Sequence, residues 1–467
     1  MATVKADAVE AREADLRREL GVADLTLTQI LFIVGLPWIG VAAKQGPSHV
    51  IYWLLAIVFF YLPSAAVVIH LNRAMPLEGG LYQWAKLGFN ELTGFLVAWN
   101  LWLFAILNTS ETGLQVTQYA QYVFGSAADG FTSNAWVVTG VNVVILTGLA
   151  AVTIRGLSVG KWVHSAGGTL MLTTFAMILL LPWLNLARGT LKAFHPLATA
   201  VPVMSLLSLN IAAKMGFGAL GGFEYVAIHA GECRNADRAI AKSVWLAAPV
   251  ICVMFILGTS SVLGLVPFDQ IDLIAPIPQV LAVGFGGLGP AAWVAPITIV
   301  ILLCIRLAQA SVMFTGITRL PMVAGWDGLL PTWFMRLHPR FRTPVNSVVF
   351  IAATTLAFSI LGLLGVGKQE AFQLLWNASG IFYALTYLVM FAIPIAGSVR
   401  APTWLKITSL SGLIMTLGYV VLSILPIIQV GSRLSFATKI SAVIVIANVI
   451  GAAIYCRACA KPPSLSA

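Results

Sequence analysis

Apolar residues run along this chain in long blocks, each closed by a short polar stretch. A bilayer-spanning helix needs about 20 mostly apolar residues, and about twelve blocks meet that length. They lie near 26–46, 50–71, 92–124, 135–153, 161–186, 204–230, 240–265, 291–318, 345–364, 371–395, 404–427 and 435–456. The third is preceded by an amphipathic approach from Tyr82. Closed barrels, the other spanning solution, need segments of roughly ten residues with period-two alternation, and that pattern is missing. The pattern predicts an all-α polytopic membrane protein of twelve transmembrane helices.

Composition agrees. Of 467 residues 59% are hydrophobic and 9% charged, against roughly 25% charged in an ordinary soluble domain. A net charge of +10 raises nucleic acid as a partner, but the basic residues are spread over short loops and form no stripe. With the N-terminus taken as cytoplasmic, 19 Lys and Arg fall on its side and 6 on the other, two more lying within spans. Cytoplasmic loops carry such an excess, so both termini are expected in the cytoplasm of a cell-membrane protein.

Outside the spans little remains. Residues 1–24 form a polar tail with no apolar core or cleavage site, so no removed signal peptide is expected. A second tail covers 457–467. Five cysteines are too few and scattered for a disulfide framework, and Cys456-x-x-Cys459 has no second pair to make a metal site. The six histidines lack zinc spacing. No cofactor or metal is expected.

Two spans are interrupted. The first carries Gly35-Leu36-Pro37-Trp38-Ile39-Gly40 at its middle, and the sixth has Gly216, Gly218, Gly221 and Gly222 within seven residues. Proline removes a backbone donor and clashes with the preceding turn; glycine lowers the cost of leaving helical geometry. Unwound backbone survives in hydrocarbon only where protein or a water-filled cavity satisfies it. Breaks at matching positions in two halves point to a transporter's binding site. They fit five-span repeats over 25–186 and 204–395, with two further helices at 404–456. The alternative is that the glycines serve close helix packing.

Four formal charges sit inside spans: Glu111, Lys214, Glu224 and Arg306. Each costs at least about 2.5–3.5 kcal/mol at the bilayer centre, which implies a partner or a task. Lys214 and Glu224 would be about 15 Å apart on a continuous helix, too far to pair, whereas Glu111 can pair with Arg306 if their spans face. Glu224 is a candidate proton acceptor or gate, or else a cap for unwound backbone. Glu111 is a coupling candidate, and Lys214 and Arg306 read as fixed cations balancing the site. In the third span Asn108, Thr109, Ser110, Gln115, Gln118, Tyr119 and Tyr122 make one polar stripe. In the tenth, Trp376, Asn377, Ser379, Tyr383 and Tyr387 do the same. Such stripes line an aqueous pathway or glue helices together.

Three stretches resemble the amino acid–polyamine–organocation superfamily. Met75-Pro76-Leu77-Glu78-Gly79-Gly80-Leu81-Tyr82-Gln83-Trp84 looks like its segment between helices 2 and 3. Gly222-Phe223-Glu224 followed by Ala230-Gly231-Glu232-Cys233-Arg234-Asn235 looks like its helix 6 signature. Arg319 through Asp327-Gly328-Leu329-Leu330-Pro331, then His338-Pro339-Arg340-Phe341 and Thr343-Pro344, looks like its loop after helix 8. The likeness spans about 25–450. It implies a LeuT-type fold with a small substrate between the breaks, its carboxylate at Gly35 to Gly40 and its ammonium at Phe217-Gly218-Ala219-Leu220-Gly221-Gly222, near Glu224. The chain departs where the family's Gly-Ser-Gly run is Gly35-Leu36-Pro37-Trp38, where a gating aromatic is Gly218, and where a helix 5 lysine has no counterpart in Thr169-Leu170-Met171. Arg306 is expected to supply that fixed charge instead.

The expectation is a secondary transporter of amino acids or related amines, driven by protons or exchange, with the bilayer and a small molecule as its partners. A related transporter of another organic solute or an inorganic ion is the nearest alternative. A membrane enzyme would need an acid–base or metal cluster that the sequence does not offer, and a channel or receptor stands equally far off. No phosphate-binding Gly-x-x-x-x-Gly-Lys-Ser/Thr run appears.

Overall fold

The computed structural model describes residues 18–460, apart from 129, 131–133, 327, 363–367, 398 and 428–429. The start of the N-terminal tail, Asp327 of the loop motif and residues 461–467 thus lie outside the described residues. Within them the chain is helical, with one isolated bridge between Leu20 and Cys233.

The first span is two helices, α1 (Val22–Ile33) and α2 (Leu36–Ala43), bent by 45°. Then come α3 (Gly46–Ala74), the short α4 (Leu81–Gly88), α5 (Glu91–Phe124), α6 (Ala135–Arg155) and α7 (Leu157–Ala187). The second half holds α8 (Leu206–Glu232), α9 (Ala236–Leu265), α10 (Pro276–Gly286) and α11 (Val294–Trp326). It ends with α12 (Val345–Gly362), α13 (Lys368–Ala396), α14 (Thr403–Ser423) and α15 (Arg433–Ala460).

Ten helices are long and apolar enough to cross a bilayer, and the bent α1–α2 pair brings the number to eleven. Sequence blocks had suggested twelve; the remaining one is the shorter apolar stretch Val345–Leu361 in α12. The segment 276–286 falls between the predicted spans. It forms α10 because Pro276 occupies the first helical position, where its missing N–H is no loss.

The broken helices occupy the centre. Helix α1 packs against α7 and α9, and α13 against α5 and α14. Helix α15 is peripheral: of the candidate spans it buries the least. It is tied to α5 by Trp99 Nε1 donating to the Ala447 carbonyl at 2.9 Å and by the Asn100–Asn448 side-chain pair. In hydrocarbon such polar contacts substitute for the missing hydrophobic drive.

Candidate functional site

Both breaks have a local cause and a specific repair. Gly35 is the N-cap of α2 and Pro37 follows in its first turn, so Pro37 cannot continue the ladder of α1. The carbonyls of Leu31 and Val34 are both satisfied by one side chain: Gln309 Nε2 of α11 donates to each at 2.9 Å. Helix α8 widens into a π-turn over Lys214–Gly218 and continues as a tight 3-10 segment over Phe223–Glu232. Between them Gly222 has φ of +143°, a conformation that L side chains rarely adopt. Its N–H donates to the Tyr387 hydroxyl at 2.7 Å.

Tyr387 and Tyr383 also donate to the two carboxylate oxygens of Glu224. Tyr383 is fixed in turn by stacking on Phe104, with centroids 4.0 Å apart and planes 4° from parallel. Thus Glu224 sits behind the cavity wall and reaches the cavity through Tyr383.

The opposite wall is α5, which turns at Glu111. Arg306 of α11 pairs with Glu111 at 2.9 Å, donates to Gln115 through Nε, and reaches Thr112 at 3.2 Å. Two oppositely charged buried groups thus cancel, and additional hydrogen bonds offset the cost of desolvating them.

A cavity of about 90 Å³ lies between these walls. Gly35, Leu36, Pro37, Trp38, Asn108, Glu111, Gln115, Tyr119, Phe217, Gly218, Gly221, Arg306, Trp376 and Tyr383 line it, with Phe32, Phe104, Gln309, Met313 and Tyr419. The expected run of unwound backbone is corrected on two counts. Leu36 to Gly40 are already helical, which rotates Ile39 and Gly40 away: Ile39 toward Gly258, and Gly40 against Pro276. On α8 the chain opens at Gly221 and Gly222, not from Gly216. Ala219 and Leu220 are fully buried outside the cavity lining, and Gly222 packs on Phe32 and Ile33.

Lys214 and Asn377 lie apart, beside a smaller void that also touches Pro37, Trp38 and Trp376. The rings of Trp38 and Trp376 meet edge to face at 5.1 Å and line both spaces. They are the partition between them. Toward the N-terminal side, Phe32 stacks on Tyr225 at 4.2 Å. Farther along α8, Arg319 grips Glu232 through Nη2 at 2.9 Å and Nε at 3.2 Å. The Glu232 carbonyl accepts the N–H groups of Glu19 and Leu20, and Gly231 N–H donates to Glu78 at 2.8 Å. Glu78, His229 and Glu232 bring donor atoms within 4.8 Å of one another, but the Arg319 guanidinium already engages both oxygens of Glu232.

Among known proteins, the profile of the amino acid permease family matches residues 20–451. The chain belongs to that family. It is a membrane-embedded permease of the amino acid–polyamine–organocation superfamily. An uncharacterised transporter of Legionella pneumophila is 25% identical to the permease over 391 residues, 81% of each chain. The branched-chain amino acid permease of Bacillus subtilis is 24% identical, over 79% of the permease and 81% of the relative. In fold the permease matches MhsT, solved in complex with L-phenylalanine, with a TM-score of 0.61 at 15% identity over 87% of the permease and 98% of MhsT.

Sequence reasoning had passed over Gln309. Its signal was a polar residue three positions after Arg306 in an apolar span, hence on the same helix face.

Proposed function

We propose that the permease is a secondary active transporter that moves an amino acid or related amine across the cell membrane by alternating access, driven by protons or by exchange. This reading counts the α1–α2 pair and α12 among twelve spans, arranged as inverted repeats over 25–186 and 204–395 followed by two more helices, with both termini cytoplasmic.

One observation carries it: a cavity reached by Glu111, Gln115, Arg306 and Tyr383 lies between two chain breaks, with the Trp38–Trp376 and Phe32–Tyr225 ring pairs beside it. The bent end of α2 presents the positive end of a helix dipole, which attracts a carboxylate. Pro37 contributes no N–H there, so fewer donors meet the anion than an unbroken amide run would give. Gln309 has taken the carbonyls of Leu31 and Val34. The ammonium is therefore left to the α8 side, beside Gly218, Gly221 and the Tyr383–Glu224 pair. The branched-chain amino acid permease among its relatives and the L-phenylalanine bound in MhsT support a small zwitterion.

The test is a thermal-shift screen of the purified protein against amino acids, amines and dicarboxylates, since a ligand that binds the folded form alone raises its apparent stability. Counterflow of labelled hits in proteoliposomes then separates a carrier from a channel. Exchange lost in Glu224→Gln and in Gly221→Leu is expected. Exchange at the native rate in both variants, or no counterflow for any stabilising ligand, overturns the reading.

A further inference from the structure

Of the four charges within the spans, Lys214 is the cation left without a counter-charge among the described residues. Glu111 and Arg306 cancel one another at 2.9 Å. Glu224 is held by two phenol hydroxyls. The Lys214 ammonium is 1% exposed. It donates to Asn377 Oδ1 at 2.9 Å and Ser423 Oγ at 3.3 Å and lies 5.7 Å from the centre of the Tyr419 ring. All three partners are neutral, and no carboxylate pairs with it among the described residues. A buried ammonium with neutral partners alone is costly.

A second, independent feature points the same way. The side-chain oxygen of Asn377 must face the ammonium, because an ammonium is a donor without acceptor capacity. Its Nδ2 group is therefore turned away, and it is buried with no hydrogen-bond partner. Asn377 is 1% exposed, so bulk solvent does not reach it. The two residues that carry these donor groups, Lys214 and Asn377, line the same void, closed by Trp38, Trp376 and Gln373. Its volume of about 10 Å³ corresponds to roughly one water-sized sphere, room for a single atom such as one carboxylate oxygen.

We propose that this void is an anion subsite, built by Lys214 and Asn377, on the far side of the Trp38–Trp376 partition from the central cavity. A carboxylate or comparable monoanion seated there supplies the missing counter-charge and satisfies the Asn377 amide. The site deepens the transport reading: a substrate carboxylate can pause there before the partition moves. The same chemistry suits a free anion, and the two sources differ in what stabilises the protein.

The test uses the purified full-length permease and does not depend on transport. Thermal stability is followed while chloride or acetate replaces gluconate at constant ionic strength, and separately against dicarboxylates and monoamines. Saturable stabilisation by chloride or acetate identifies a free anion as occupant; stabilisation by dicarboxylates alone identifies a substrate carboxylate. Either response should vanish in Lys214→Met. Asn377→Asp guards against a variant that fails to fold, because it installs a fixed carboxylate beside the ammonium. It should be as stable as the anion-loaded native protein and indifferent to added anions. The proposal is overturned if no anion stabilises the native protein, if Lys214→Met keeps the response, or if Asn377→Asp still responds like the native chain. Counterflow in Glu224→Gln tests the transport reading separately and leaves these outcomes untouched.

Discussion

Gly218 lies directly beneath the ring of Trp38: a methyl group built on it would come within 2.6 Å of the indole Cη2 and 2.9 Å of Cζ2. The absence of a side chain on α8 is what lets a side chain from α2 cross the cavity and meet Trp376. The sequence departure at 218 and the tryptophan at 38 are one feature, in which the bulk comes from the other broken helix. Gly218→Ala should displace Trp38 and loosen the partition. Trp376→Leu should do so more gently, because an edge-to-face aromatic pair contributes about 0.5–1.5 kcal/mol beyond its buried area. Both should speed dissociation of bound substrate by roughly 2–10-fold with little loss of thermal stability, as read by release of labelled ligand from the purified protein. Unchanged release would show that the pair is packing and not a barrier.

Tyr387 does two jobs and Tyr383 one. Tyr387 accepts from the Gly222 N–H and donates to Glu224, so it joins the chain break to the acid. Tyr383 shares the donation to Glu224 and keeps its stacking on Phe104 whatever its hydroxyl does. Leaving a buried donor unsatisfied costs about 1–3 kcal/mol. Tyr387→Phe, which strands the Gly222 amide, should therefore destabilise by about that amount, and Tyr383→Phe by less. Both should reduce exchange. The comparison of melting temperatures for the two variants decides it, and equal losses would refute the asymmetry.

Much of this site was legible beforehand, for a physical reason. A charge within a span is so expensive that Glu111, Lys214, Glu224 and Arg306 announce themselves, and Pro37 and the α8 glycines mark where a helix cannot run smoothly. Rotation was not legible. Whether Ile39 and Gly40 face the cavity depends on where helical geometry resumes, and Leu36 resumes it one residue after the gap. Nor was the means of repair. That Gln309 donates to the stranded carbonyls of Leu31 and Val34 follows from how α11 packs on α1, a three-dimensional fact. The burden on α2 was also misplaced: six residues read as open backbone, where Gly35 alone caps the new helix.

The Glu111–Arg306 pair should behave as a buried ion pair does. Removing one partner strands the other, which costs about 3–5 kcal/mol, whereas removing both can be nearly neutral. Glu111→Gln and Arg306→Met should each lower the melting temperature sharply, and the double variant should recover most of the loss. Glu111 Oε2 is buried without a hydrogen-bond partner, while Arg306 has further bonds to Gln115 and Thr112. Arg306 loses more partners when replaced, so Arg306→Met should be the worse of the single variants. A double variant as unstable as the sum of the singles would show that the two act independently.

Cys233 offers a built-in reporter for the closure on the N-terminal side. It is buried at 2% exposure, one residue from Glu232, and its thiol donates to the His229 carbonyl at 3.1 Å. The segment is held by Arg319 on Glu232 and by Leu20, whose N–H donates to Glu232 while its carbonyl accepts from Arg234. If that cluster is the seal on the N-terminal face of the bundle, Cys233 should react with a maleimide when the seal parts and resist when it is shut. In a chain with Cys304, Cys456 and Cys459 replaced, because those three are exposed, Arg319→Ala should raise the labelling rate of Cys233 several-fold. Gly218→Ala, acting on the opposite closure, should leave it unchanged. Cys252 is partly buried and far from Arg319 in sequence, so its labelling in the same samples corrects for general loosening of the fold. Equal gains at both thiols would mean that Arg319 supports the fold as a whole, and a gain at Cys233 alone would mean that it holds one face shut.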